Sequence, residues 1–329
     1  AGLGLIASKV LLEGPLKKKE GSYLVSGRFG YPGVVAGLLG SNLTSKPQMW
    51  FYDVNAKVNR TLDARNRMFF SLYSGGDHTV FNKLVKGYGM DWGNATATIR
   101  WNHILNDKTN VNTSAVFSNY YYKYKSLSDG LRYVWKSNMQ SYQLKSDWER
   151  YQNNLLTLKG GVNLHYFTTM PGEVGKSGKD SNITPSQMPR KSLWDAALYA
   201  EANYKFLPHF LLNAGVRLSV LHAPASAYYA AKTFVMPEPR AELSFIPNAS
   251  HRFSASYTQA AQSIHMLTTS SVGIPSDMWM PANALLKPSV MRQLALGYEY
   301  NFPDKEYTLS LEAYMRRTSH VAVSYTHLT

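Results

Sequence analysis

The sequence predicts an all-β protein, a transmembrane antiparallel β-barrel of the bacterial outer membrane in incomplete form. Three observations predict it. Apolar and polar residues alternate with period two along most of the 329 residues. The connections alternate between short and long, and aromatic residues gather at strand ends.

The alternation is clearest from Gly93 to Asn102. Gly93, Ala95, Ala97, Ile99 and Trp101 form one face, and Asn94, Thr96, Thr98, Arg100 and Asn102 the other. Trp194, Ala196, Leu198, Ala200, Ala202 and Tyr204 make an apolar stripe whose neighbours include Asp195, Glu201, Asn203 and Lys205. Phe210, Leu212, Ala214, Val216, Leu218 and Val220 then stand against Asn213, Arg217 and Ser219. Tyr307, Leu309, Leu311, Ala313 and Met315 repeat the pattern near the end. About fourteen strands of ten or more residues emerge, longer than the common strand length of ~5–6 and able to cross a bilayer at a tilt.

Short polar turns are expected at 63–66, 106–108, 150–153, 207–209, 247–250 and 303–305. Long irregular stretches are expected at 31–49, 77–90, 125–137, 169–193, 222–236 and 259–288. Tight turns at one end and long loops at the other suit an outer-membrane barrel. Trp50-Phe51-Tyr52, Tyr120-Tyr121-Tyr122, Tyr166-Phe167 and Tyr298/Tyr300/Phe302 resemble interfacial girdles. A soluble sandwich or propeller would also alternate, but the strands are too long, the loop alternation too regular, and no blade-length repeat is visible.

Composition is consistent with strands. Charged residues are 17%, aromatics 13%, and there are 23 tyrosines and no cysteine. That leaves no disulfide framework or thiolate metal site. Mean hydropathy is −0.29, and no run nears the ~20 apolar residues of a membrane helix. A barrel survives both facts because only alternate residues face lipid. The net charge of +14 invites a nucleic-acid reading. The basic residues are scattered, however, and Lys17-Lys18-Lys19 is the only compact run. Charge dispersed over polar faces is expected, with no nucleic-acid partner; a basic lumen or loop surface favouring anions is the alternative.

Catalytic signatures are absent: no nucleophile elbow, phosphate loop or zinc-type histidine pair occurs. Gly2-Leu3-Gly4-Leu5-Ile6-Ala7 fits a relaxed dinucleotide fingerprint without the strand and helix it needs. The nine histidines are isolated, and six Asn-x-Ser/Thr triplets, such as those at Asn42, Asn94 and Asn182, follow by chance from polar strand faces. No enzyme activity, cofactor or metal site is expected. The exception among the loops is 259–288, too long for a connector and carrying Pro275, Pro281 and Pro288. Within it Gln262, His265, Asp277 and Trp279 are the candidate ligand-binding residues. A lid that touches no ligand is the alternative.

Seven segments carry a family resemblance: LLEGPLKKKEGSYLVSGRFGY, FYDVNAKVNRTLDARNRMFFSLYSGGD, WGNATATIRWNHIL, HFLLNAGVRLSVL, PEPRAELSFIP, SYTQAAQSIHMLTTSSVGIPSDMWMPAN and LGYEY. In that order they resemble the barrel of TonB-dependent outer-membrane receptors, in the version common among Bacteroidetes. The resemblance implies about 14 of 22 strands, with the N-terminal plug domain and TonB box outside this sequence. It also implies a Gram-negative outer-membrane location, lipid and the TonB complex as partners, and energised uptake of an unidentified nutrient ligand. A passive porin without a plug, an outer-membrane lipase and a soluble β-rich surface domain are the rival readings. Residues 1–322 are expected to be the partial barrel, truncated at both ends and unable to work alone. Residues 323–329, Val323 to Thr329, depart from the family's terminal strand and resemble translated adapter read-through.

Overall fold

The computed structural model describes every residue except 18–19, 40–47, 82–86, 127–131, 178–182, 268–277, 304–305 and 323–329. The chain opens with β1 (Gly2–Leu3), β2 (Ala7–Lys17) and β3 (Gly21–Gly30), followed by a short helix, α1 (Pro32–Leu39). Then come β4 (Gln48–Thr61), β5 (Asn66–Phe81), β6 (Tyr88–Asn106), β7 (Thr109–Ser126), β8 (Tyr133–Asn153) and β9 (Leu156–Lys176). After β10 (Ser186–Gln187) follow β11 (Lys191–Leu207), β12 (Phe210–Ala223), β13 (Lys232–Phe245) and β14 (His251–Gln262). The rest is β15 (Ile264–Leu267), β16 (Met278–Pro281), β17 (Ser289–Asn301) and β18 (Thr308–Ser319).

All but β15 and β16 belong to one sheet, which runs β1-β2-β3-β4-β5-β6-β7-β8-β9-β11-β12-β13-β14-β17-β18 with β10 on β9. Its pairings are antiparallel, between strands consecutive in the chain except that β9 pairs with β11 past β10 and β14 with β17 past the β15–β16 pair. Fourteen of its strands have ten or more residues, as the alternation predicts. Short turns make this the natural topology, since a two- to five-residue connection can only reverse the chain. The path ends at β1 and β18 without closing. It is part of a barrel, and its free edges carry backbone groups that lipid cannot satisfy.

Register turns alternation into two continuous surfaces. Phe70, Ile99, Ala115, Leu144, Leu164, Ala196 and Val220 form one apolar row across seven strands. On β11 the contrast is sharp: Leu193 is 2% exposed and its neighbour Trp194 53%. The stripe from Trp194 to Tyr204 faces outward, and at ~3.3 Å per residue and ~40° of tilt it spans roughly 25 Å of membrane height. Aromatics border it at both ends. Tyr166 and Trp194 lie 4.4 Å apart between ring centres at one border; Phe210–Phe245 (4.8 Å) and Phe253–Tyr298 (5.0 Å) mark the other. Consecutive aromatics split between the faces, so Phe167 and Tyr122 are buried inside rather than facing lipid.

The long connections differ from expectation. Strands β5, β7, β9, β12 and β14 continue to Phe81, Ser126, Lys176, Ala223 and Gln262, into stretches read as irregular. Once a strand leaves the lipid both faces can be polar, so the alternation fades while backbone pairing continues. The stretch 31–49 also contains α1, entered through Pro32, whose fixed φ suits a first helical position. Residues 323–329 lie outside the described residues.

Candidate functional site: the inner wall and its inserted hairpin

The inner face carries paired charges at mid-height. Arg240 meets Glu201 at 2.5 Å, Arg252 meets Glu242 at 2.9 Å, Lys145 meets Asp147 at 2.9 Å and Lys159 meets Glu149 at 3.3 Å. The Tyr199 hydroxyl donates to Asp147. Its ring lies across Gly161, where a Cβ would come within 2.3 Å of the Ser146 carbonyl oxygen and 2.8 Å of the ring. Arg217 lies between Glu238 (3.6 Å) and Asp195 (3.9 Å). One Asp195 oxygen is buried without a partner. Signs alternate along this wall, so the +14 charge is not concentrated there.

Towards the long-loop end the inner face becomes apolar. Phe167, Leu193, Leu221 and Ala223 are buried together, with Met139, Phe234, Met236 and Ile264 packed against them. A bare apolar patch on a wetted inner wall is costly, since burial is worth about 25 cal/mol per Å². The chain covers it with its own hairpin. β15 and β16 pair as a separate two-stranded sheet, and β16 packs against β9 and β11. The Ala282 amide donates to the Ser263 carbonyl at 2.8 Å and closes the hairpin base. Asn283, itself buried, accepts from the amides of Leu285 and Leu286 at 2.9 and 3.0 Å and shapes the return to β17.

Three of the four sequence-predicted residues fall on or beside this hairpin. Gln262 ends β14, exposed, and donates to the Ile264 carbonyl at 2.7 Å. His265 is 4% exposed, with Nε2 3.1 Å from the Lys287 carbonyl oxygen. Burial holds its pKa below the ordinary 6.5, outweighing the opposing hydrogen bond. Trp279 sits opposite Met266 across the hairpin. Asp277 lies outside the described residues. Gln262, His265 and Trp279 thus share one short hairpin and its stem, although the stretch reads as a loop in sequence. The apolar seat beneath it was missed. Its signal is the sequence Phe167, Leu193, Leu221, where the inner-face positions of three strands turn apolar near their long-loop ends. Among the described residues no three His, Asp or Glu side chains come together to hold a metal ion.

This geometry is that of an outer-membrane β-barrel wall. A family model for the TonB dependent receptor-like β-barrel matches residues 37–328, and the chain belongs to that family. No curated protein matches. Among solved structures, the ferric yersiniabactin uptake receptor of Yersinia pestis superposes with a TM-score of 0.70 at 11% identity, covering 95% of this chain and 52% of that one. The ferric preacinetobactin receptor of Acinetobacter baumannii gives 0.67 at 12% identity, with 94% and 51% covered. A copper transporter gives 0.67 at 11%, with 94% and 52% covered. The chain therefore spans about half the length of these proteins and shares their fold.

Proposed function

We propose that this chain forms the barrel wall and capture mouth of an outer-membrane receptor for energised uptake of a nutrient ligand. The TonB complex would act through a plug region beyond these residues. The observation that carries the reading is the β15–β16 hairpin, folded inward over an apolar seat on the inner wall. A hairpin held there narrows the mouth and presents side chains to whatever enters from the long-loop side. Gln262, Asp277 and Trp279 supply the capture surface, and His265 contributes from its seat at the hairpin base. Trp279 offers a large face at low entropic cost, with polar groups to fix orientation. The solved neighbours are receptors for ferric preacinetobactin and ferric yersiniabactin and a copper transporter, which makes metal chelates the first ligands to try.

The test is the pair Trp279→Ala and Asp277→Ala in the full-length receptor, against a panel of metal chelates, glycans and peptides. Affinity for the ligand taken up should fall about tenfold, or about 1.4 kcal/mol, while the barrel's heat-resistant gel mobility stays unchanged. Unchanged affinity would make the hairpin a lid only.

A further inference from the structure

One seam of the wall is left open by its backbone. The ladder between β13 and β14 runs from Phe245 and Phe253 up to Arg240 and Thr258 and stops there. Both strands continue, each paired with its other neighbour: β13 with β12 as far as Lys232, and β14 with β17 as far as Gln262. Pro237 and Pro239 stand in the interval. The Pro237 carbonyl accepts from Gln259 Nε2 at 2.7 Å, so the odd-numbered residues of β13 turn their main-chain groups toward β14. These are the positions whose N–H groups would bridge the seam, and proline has none. Interior strands avoid proline for this reason, and an interrupted ladder is costlier still beside lipid.

Side chains stand in for the missing ladder. Gln259 is one clasp; the other is Glu238, whose Oε2 accepts from the Ala261 amide at 3.0 Å. Each is braced by the strand behind it. The Ser219 hydroxyl donates to Glu238 Oε1 at 2.7 Å, and Arg292 Nε donates to Gln259 Oε1 at 2.9 Å. Rotating two side chains releases these clasps, whereas a ladder parts only when a strand moves. The rim of the gap is apolar on both faces. Phe234 and Met236 pack inside, with Ile264, against the seat of the hairpin. Between them Val235, 61% exposed, extends the outward row of Leu164, Ala196 and Val220. Neither Thr233 to Pro237 nor Gln259 to Gln262 contains a charged residue. The gap therefore joins the lipid face to the apolar seat inside. Gln259 to Gln262 spans about 13 Å, a slot for one extended chain rather than for a two-chain lipid.

We propose that the β13–β14 seam is a lateral port, admitting the acyl chain of a single-chain amphipathic ligand from the membrane to the seat beneath the hairpin. The proposal rests on the receptor reading above, and it is read by quenching rather than by ligand affinity, so the two fail separately. The chain has no cysteine, which leaves room for a placed label. In the full-length receptor in phosphatidylcholine vesicles, Met236→Cys carries a bimane. Ser114→Cys, in the same inward row but behind unbroken ladders, is the reference. Stearic acid spin-labelled near its methyl end should quench the first label and not the second. Pro237→Val with Pro239→Val restores both donors and should cut that quenching about thirtyfold, equivalent to about 1 kcal/mol for each hydrogen bond regained. Equal quenching at the two sites overturns the proposal. So does quenching that survives the valines, because the acid then arrives through the mouth. Phosphatidylcholine bearing the same spin label should not quench; if it does, bilayer lipid fills the seam and the ligand port falls. Should the valine pair fail to insert, Gln259→Ala removes one clasp and should deepen quenching about fivefold, the worth of one such bond. Unchanged quenching there is equally fatal.

Discussion

Leu198 and Tyr199 are chain neighbours on β11 that live in different solvents. Leu198 is 62% exposed on the outer face and pairs in register with Leu218 and Val162. Tyr199 points inward, lies over Gly161 and donates to Asp147. The outer face is built by a rule that any aliphatic residue satisfies, because lipid asks only for apolar surface. The inner face is built from specific partners on strands far apart in sequence. Substitution should therefore be judged by chemistry on one face and by partner on the other.

The largest expected effect breaks the outer rule. In the full-length receptor, Leu198→Arg, Val216→Arg or Leu311→Arg should each cost about 2–4 kcal/mol near the membrane midplane, read by urea refolding into vesicles. Asn203→Arg, Asn213→Arg or Ser310→Arg, on the polar parity of the same strands, should be nearly neutral. Equal losses for the two sets would abolish the distinction between faces.

A smaller effect tests the partner rule. Gly161→Ala adds one methyl group against a backbone carbonyl and the Tyr199 ring, and such overpacking typically costs about 1–3 kcal/mol. Adding Tyr199→Phe should not relieve it, since the backbone contact stays; adding Tyr199→Ala should relieve part. The double-mutant cycle decides this, and strict additivity would uncouple glycine from tyrosine.

The smallest effect concerns the hairpin, where neither rule applies alone. His265 has its pKa lowered by burial, so the detached hairpin binds the proton more readily than the seated one. Seating is therefore at full strength above about pH 6.5 and weakens as the pH falls toward the lowered value. Hydrogen exchange at the Ala282 amide, bonded to Ser263, should quicken from pH 7 to pH 5 beyond the intrinsic trend in the wild type and not in His265→Asn. Equal profiles would exclude the histidine as the cause.

The outer rule made most of the fold readable. Gly93 to Asn102 and Trp194 to Tyr204 declare their strands because lipid leaves a period-two signature. The inner pairs were not readable, since which residue faces Arg217 depends on register, and Asp195 and Glu238 arrive from different strands. The hairpin was half legible. Its prolines and Trp279 marked an ordered segment, but its seat is made of Phe167, Leu193 and Leu221, contributed by three other strands. Helix α1 was missed because eight residues give little room for a helical period.

The strands are longer than the membrane requires. β8 and β9 have 21 residues each, roughly 70 Å of extended chain, or roughly 50 Å of height at barrel tilt. Only about half of that is spent in hydrocarbon. The remainder stands clear of the lipid as a rigid collar, and its hydrogen-bonded wall carries the hairpin's seat. A bulky solute thus meets a stiff, hydrogen-bonded rim some distance above the bilayer. Shortening β8 and β9 by two residue pairs would lower that rim without touching a single side chain named as a contact.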